Sequence, residues 1–139
     1  MSRHNSRRLQ GFLKKELKKL KHLSGLGLTL DVKWIPMPDE RLYGEVSDNT
    51  IYIYDTDSKS ALRTLIHEFI EYNIATIQAP LQVILQKTYA DLLRSFGREV
   101  QYPLKLYVHA VNEAQYQLRE NVVEGLTQLI LKLRNKNTK

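Results

Sequence analysis

The sequence predicts an α+β domain, with an N-terminal helix, a small and mostly antiparallel sheet of about three strands, and three further helices. Residues 7–23 carry apolar side chains at spacings of three and four, which is typical of an amphipathic helix. Residues 28–54 contain short alternating or aromatic runs separated by turn residues, as strands do. From residue 59 onward the apolar spacing is helical again. The predicted order is therefore α-β-β-β-α-α-α.

The chain of 139 residues is the size of one domain, and we take 1–139 as a single domain. Its net charge of +6 comes from the ends, and flexible basic tails are expected at about 1–6 and 134–139. Hydrophobic residues make up 42% and no run approaches a membrane helix, so no membrane partner is expected. The absence of cysteine excludes thiolate metal sites and fits a cytoplasmic location.

The first half of the chain predicts one helix and the sheet. The helix at 7–23 ends at the glycine-rich residues 24–27, and residues 28–37 alternate as a half-buried strand does. Asp48 and Asn49 predict the turn of an antiparallel hairpin.

The second half predicts three helices. Asp57 and Ser58 are suitable N-caps for a helix over 59–78. Pro80 predicts the start of a second helix over 81–96, because proline is favoured in the first turn and Gly97 ends the segment. Residues 98–103 are expected to be a non-helical break between the second helix and a last helix over 104–133.

The helix over 59–78 carries one narrow polar stripe with a candidate metal site. At 100° per residue, Glu71 lies about 40° from His67 and Glu68 about 100° from it, while most other positions are apolar. Residues four apart on a helix lie one above the other, so His67 and Glu71 can bind one ion. Glu68 points aside, where a general base acts in zinc proteases. The alternative is an ordinary surface stripe in which His67 contacts Glu71.

The last helix offers acids that could complete such a site. If it is continuous, one face holds a histidine, a tyrosine and three glutamates: His109, Glu113, Tyr116, Glu120 and Glu124. Carboxylates at this spacing repel one another unless a cation lies among them. That cation is a metal ion or a basic side chain from another element. For Glu113 a solvated surface position is the better interpretation.

The segments TLIHEFIEY (64–72) and RENVVEGLTQLI (119–130) resemble the compact zincin metallopeptidases, in which HExxH and a later glutamate hold zinc. The resemblance implies a third ligand at Glu120, with Glu124 and then His109 as alternatives. It implies that Glu68 is the base for a water that attacks a peptide bond of a peptide or protein substrate. Glu71 departs from the family, which has a second histidine at that position.

A ligand set of one imidazole and two carboxylates suits zinc, and also manganese or ferrous iron. Its extra negative charge weakens the ion as a Lewis acid, so slow hydrolysis is expected. Two alternatives remain: a catalytically degenerate zincin-like binding module, and a basic nucleic-acid-associated protein that binds through the lysine-rich N-terminal helix.

Overall fold

The computed structural model describes residues 3–38, 41–95 and 97–136. They form three helices and three strands, in the order α1 (Arg3–Ser24), β1 (Asp31–Trp34), β2 (Gly44–Ser47), β3 (Thr50–Ile53), α2 (Ser58–Ser95) and α3 (Arg98–Lys136). The chain divides into two compact units, which are described separately. The first, here called the packed unit, comprises Met1–Asn73 and Val123–Lys139, and the second, here called the helical unit, is Ile74–Val122.

The sheet of the packed unit has the strand order β1-β3-β2. Strands β2 and β3 form an antiparallel hairpin whose two turn residues, Asp48 and Asn49, have φ angles of 47° and 58°. Positive φ at both positions matches a tight hairpin turn, and asparagine and aspartate tolerate it best after glycine. Strand β1 pairs with β3 in parallel, from Asp31 opposite Thr50 to Trp34 opposite Ile53.

The hydrophobic core lies between the sheet, α1 and the first part of α2. Burial alternates along β3, where Ile51 and Ile53 are fully buried, as the two-residue period of a strand requires. Each of the three elements contributes side chains to one cluster, which consists of Leu13, Leu17, Leu30, Val32, Trp34, Ile51, Ile53, Ala61, Leu65 and Phe69.

Side chains of α1 cover the outer edge of β1. The Gln10 amide donates to the carbonyl of Val32 (2.8 Å) and accepts from the backbone N–H of Trp34 (2.7 Å). Lys21 donates to the carbonyl of Leu30, just before the strand. Backbone groups that a fourth strand would otherwise pair with are thus bonded to the helix.

The prediction of four helices in the order α-β-β-β-α-α-α was wrong, because residues 58–95 form one helix. Pro80 lies inside α2 rather than at the start of a new helix. Proline lacks one hydrogen bond but its φ is helical, and residues 74–95 contain no glycine that would end the helix. Likewise Pro103 lies near the start of α3, which begins directly after Gly97 instead of at residue 104.

The expectation of a mostly antiparallel sheet was also wrong, since one of its two pairings is parallel. The hairpin inserts β3, not β2, beside β1, and β3 runs in the same direction as β1. The tails predicted at 1–6 and 134–139 lie partly outside the described residues. Their described parts, from Arg3 and up to Lys136, are helical.

The helical unit consists of the second part of α2 and the first part of α3, with Gly97 between them. Two hydrogen bonds link these helices. Gln82 Nε2 donates to Gln115 Oε1 (3.4 Å), and Gln101 Nε2 donates to the carbonyl of Leu93 (3.2 Å). Among its described side chains, none is buried. Over the described ranges, no helix is both long and apolar enough to cross a membrane.

Candidate metal centre

The start of α2 is fixed by Asp57, as an N-cap. Its Oδ1 accepts from the backbone N–H groups of Lys59 (3.0 Å) and Ser60 (2.9 Å), which have no partner within the helix. Hydrogen bonds from the side chain and then the backbone of Ser60 lower the pKa of Asp57. With the first turn fixed in this way, the helical period determines which face each later residue occupies.

The first part of α2 faces the core with most of its circumference. Its buried residues are Ala61, Leu62, Thr64, Leu65, Ile66, Phe69, Ile70 and Asn73. His67, Glu68 and Glu71 lie between these positions and remain half-buried, so solvent reaches them. The polar stripe predicted from the sequence is therefore present on this helix.

These three side chains form a cluster with the dimensions of a metal site. Each of His67, Glu68 and Glu71 offers one nitrogen or oxygen within 4.8 Å of those of the other two. His67 Nε2 lies 3.7 Å from Glu71 Oε2. Two ligand atoms that each lie about 2.0–2.2 Å from a tetrahedral zinc ion are roughly 3–4 Å apart. The His67–Glu71 pair thus has the spacing of two ligands of one divalent ion.

Glu124 lies on the other side of the imidazole ring. Its Oε2 is 3.8 Å from His67 Nδ1, an ion-pair distance that exceeds a hydrogen bond. Its Oε1 accepts from Gln128 Nε2 at 3.0 Å and from the guanidinium of Arg63. Arg63 lies four residues before His67 on α2, so one helix carries both groups that face this carboxylate.

The imidazole has one carboxylate near each of its two nitrogens. If His67 Nε2 and Glu71 held an ion, Nδ1 would still face Glu124. In metal sites a carboxylate near the non-ligating nitrogen fixes the tautomer and orientation of the ring. Glu124 therefore lies beside the Nδ1 side of the imidazole, 3.8 Å away and beyond hydrogen-bond distance.

A cleft of about 610 Å³ opens beside His67, Glu68 and Glu124. One wall is formed by residues 41–44, which lead into edge strand β2. A Cβ at Gly44 would lie 2.5 Å from Thr64 Cγ2 and 3.3 Å from Glu68 Cγ. Only glycine therefore lets the start of β2 approach α2 this closely at the motif.

Asp55 joins the end of the sheet to the same helix. Its Oδ2 accepts a 2.5 Å hydrogen bond from Thr64 Oγ1, and its carbonyl accepts from Trp34 Nε1 at 2.6 Å. Burial raises the pKa of Asp55, while the Thr64 hydrogen bond lowers it and the nearby Asp57 raises it further. Together these contacts hold one wall of the cleft in place.

Of the predicted ligands, the structure brings together His67 and Glu71, and it places Glu124 beside them. Glu120 and His109 belong to the helical unit, where Arg119 Nε lies 4.0 Å from Glu120 Oε1. The assignment of Glu120 as third ligand stays a prediction. Sequence reasoning missed Arg63, although its spacing of four from His67 was a usable signal.

Neither a family model, a curated protein nor a solved structure matches this chain. The resemblance to zincin metallopeptidases therefore stays a prediction based on its two segments.

Proposed function

We propose that the chain is a metal-dependent hydrolase that cleaves peptide bonds. The observation that carries this proposal is the cluster of His67, Glu68 and Glu71, whose ligand atoms lie within 4.8 Å of one another. Two of these residues, His67 and Glu68, also line the 610 Å³ cleft. The cluster is thus placed where a substrate can reach it.

Each residue has a distinct role in this proposal. His67, through Nε2, and Glu71 would hold the ion, and the charge of Glu124, 3.8 Å from Nδ1, would favour this orientation of the imidazole. A bound divalent ion supplies a Lewis acid, which polarises a carbonyl and lowers the pKa of a water molecule. Glu68, one residue after His67, accepts the proton of the attacking water and passes it to the leaving amine.

Edge strand β2 is the proposed binding site for the peptide. An extended peptide can add to an open sheet edge through backbone hydrogen bonds. Side chains of α1 cover the outer edge of β1, whereas β2 is the edge whose first residue, Gly44, lines the cleft. A peptide paired with β2 would therefore run past Glu68.

The ligand chemistry supports zinc, with manganese or ferrous iron as alternatives. Zinc accepts nitrogen and carboxylate ligands in tetrahedral sites. Replacing an imidazole by the Glu71 carboxylate makes the set harder and more anionic, which suits the other two ions as well.

A second candidate is a metal-binding module without hydrolytic activity. It is favoured by the position of Glu68, because one of its carboxylate oxygens lies within 4.8 Å of a donor atom of each of the other two residues, which makes it a candidate ligand. A carboxylate bound to the ion cannot act as the general base.

Metal content tests the site itself. Untagged protein is purified with zinc, manganese or ferrous iron added, and bound metal is measured by elemental analysis. We expect about one ion per chain, lost in His67→Ala and Glu71→Ala. The control is His22→Ala, which changes an exposed histidine of α1 outside the cluster and the cleft and should retain metal. Metal-free wild-type protein under all three conditions would contradict both candidate functions.

Glu68→Gln separates the two candidates. The hydrolase predicts that this variant keeps its metal but loses cleavage of an unfolded protein by about 10²–10⁴-fold, the usual contribution of a general base. The binding module predicts the reverse: weaker metal binding and no cleavage by the wild type.

Glu124→Gln should reduce the affinity for the metal about 10–100-fold, as removal of an orienting carboxylate does.

A further inference from the structure

The helical unit exposes apolar side chains that its own two helices do not cover. Its large exposed hydrophobic residues are Ile77, Leu81, Val83, Ile84, Leu85, Leu92, Tyr102, Leu106, Tyr107, Val111, Tyr116, Leu118 and Val122. Single exposed apolar residues are ordinary, but a contiguous apolar face on a protein surface marks a binding surface. The arrangement of these residues on each helix shows whether they are scattered or form a contiguous face.

On α2 the exposed residues form a stripe. Ile77, Leu81 and Ile84 follow one another at spacings of four and three, with exposed fractions of 60–63%. At 100° per residue they lie within about 60° of one another, and Thr88 and Leu92 continue the same side. Such spacing is that of a helix seam that packs against another helix.

Helix α3 carries a matching stripe. Tyr107, Val111, Ala114 and Leu118 follow at spacings of four, three and four, and all four are exposed. A groove of about 590 Å³ runs between the two helices, lined by Thr88 and Leu92 of the first stripe and Tyr107 and Val111 of the second. The two stripes therefore meet along this groove at Thr88, Leu92, Tyr107 and Val111. Ile77, Leu81, Ile84 and Leu118 lie outside the groove and extend the exposed apolar surface along the two helices.

The charges of the helical unit indicate what this face contacts. Residues 74–86 contain no Asp, Glu, Lys or Arg. The rest of the unit is nearly balanced, with Lys87, Arg94, Arg98, Lys105 and Arg119 against Asp91, Glu99, Glu113 and Glu120. Neither nucleic acid nor an anionic lipid surface would be attracted to it, because both need an excess of positive charge.

A second copy of this chain meets these conditions. In a twofold-symmetric dimer each surface meets itself, so charged residues near the axis meet like charges. An uncharged segment avoids this repulsion. Two helical hairpins that bury their apolar faces against each other form a four-helix bundle, a stable arrangement for helices of this length.

We infer that the chain forms a homodimer through the apolar face of the helical unit, defined by Ile77, Leu81, Ile84, Tyr107, Val111 and Leu118. The face is independent of the cluster at His67, so the dimer does not depend on the proposed hydrolase activity.

Sedimentation equilibrium of the full chain tests the inference. We expect the wild type at twice the chain mass of 16.3 kDa at about 100 μM, above any Kd in the micromolar range. Ile84→Glu should raise the dimer dissociation constant at least about 100-fold, since it places a charge in the apolar seam. The matched control is Val83→Glu. Val83 is 65% exposed on the same helix but about 100–160° away from Ile77, Leu81 and Ile84, and this variant should remain dimeric.

Circular dichroism checks that both variants keep wild-type helicity. Should Ile84→Glu unfold, Leu118→Lys on α3 provides the same test from the other stripe. A monomeric wild type would overturn the inference. So would equal dissociation of the Ile84 and Val83 variants. Pelleting of monomeric protein with phosphatidylcholine vesicles would replace the second copy by a lipid surface.

Discussion

The two parts of helix α2 differ in environment although they belong to one continuous helix. Its first part, 58–73, has eight buried residues, whereas 74–95 has none among its described side chains. Both parts are apolar over much of their circumference, so composition does not explain the difference. The first part is covered by the sheet and α1 and carries the polar cluster. The comparison shows that an apolar helix sequence does not by itself predict burial within its own chain.

The largest expected difference in stability is between alanine substitutions of two leucines in this helix. Leu65 is 0% exposed and Leu81 is 60% exposed. Leu65→Ala should lower the free energy of unfolding by about 2–5 kcal/mol, through lost transfer energy and a cavity. Leu81→Ala should cost under about 0.5 kcal/mol at dilute concentration, where the chain is monomeric. Urea denaturation at two protein concentrations measures both.

Equal losses for the two leucines at low concentration would contradict the division into a covered and an uncovered part. A loss for Leu81→Ala that grows with concentration would instead support the dimer, because association adds to apparent stability.

Adding a methyl group at Gly44 tests how closely the sheet approaches α2. Gly44→Ala should destabilise the packed unit by about 1–3 kcal/mol, since its Cβ would overlap Thr64 and the carbonyl of Tyr52 at 2.9 Å. The control is Gly11→Ala in α1, where a Cβ meets nothing within 4 Å. That variant should gain about 0.5–1 kcal/mol from helix propensity. Thermal unfolding of the two variants should shift in opposite directions, and a shared sign would contradict the close approach.

The N-cap of α2 should have a smaller effect. Asp57→Ala removes the acceptor for two backbone N–H groups and should cost about 1 kcal/mol. Because the folded-state pKa of Asp57 is lowered, its stabilisation is present above the unfolded pKa near about 3.9 and is lost as pH falls below it. Stability of wild type and variant should therefore converge in acid, as followed by chemical denaturation between neutral pH and acid. A constant difference would contradict the role of its charge.

Asp55 should show the opposite and smallest dependence. Its folded-state pKa is raised, chiefly by burial, so its contribution is fully present below the unfolded pKa and is lost as pH rises through the folded value. Asp55→Asn keeps an acceptor for Thr64 and removes this titration. The variant should lie within roughly 0.5 kcal/mol of the wild type at neutral pH. Any gain in stability of Asp55→Asn over the wild type at neutral pH should disappear in acid. An equal dependence of unfolding free energy on pH for both proteins would contradict the raised pKa of Asp55.

Local patterns in the sequence predicted the elements that depend on neighbouring residues. The hairpin turn at Asp48 and Asn49, the N-cap at Asp57 and the polar stripe of His67 follow from backbone and helical geometry within a few residues. Pro80 misled the prediction because a proline both starts and interrupts helices, and only its flanking residues decide which occurs.

Features that depend on distant residues were not predictable. The parallel pairing of β1 with β3 is decided by which hairpin strand reaches the core, and no local pattern records that choice. The approach of Glu124 to His67 joins residues 57 positions apart, and helical periodicity alone left Glu120 and Glu124 equally placed. The spacing of Arg63 from His67 is visible in the sequence, but the pairing of Arg63 with Glu124 follows only once both helices are in position.

The contact between Gln10 and β1 also bears on solubility. Exposed strand edges are templates on which chains polymerise, and proteins block them with charge, bulges or covering elements. Here the side-chain amide of Gln10 is hydrogen-bonded to the carbonyl of Val32 and the N–H of Trp34. Transient detachment of α1 would therefore expose the edge of a hydrophobic strand. The basic residues of α1 would then have a further consequence, because chains with a detached helix would repel one another through its positive charge. Bound to the sheet, the N-terminal helix blocks the edge of β1 as a pairing site.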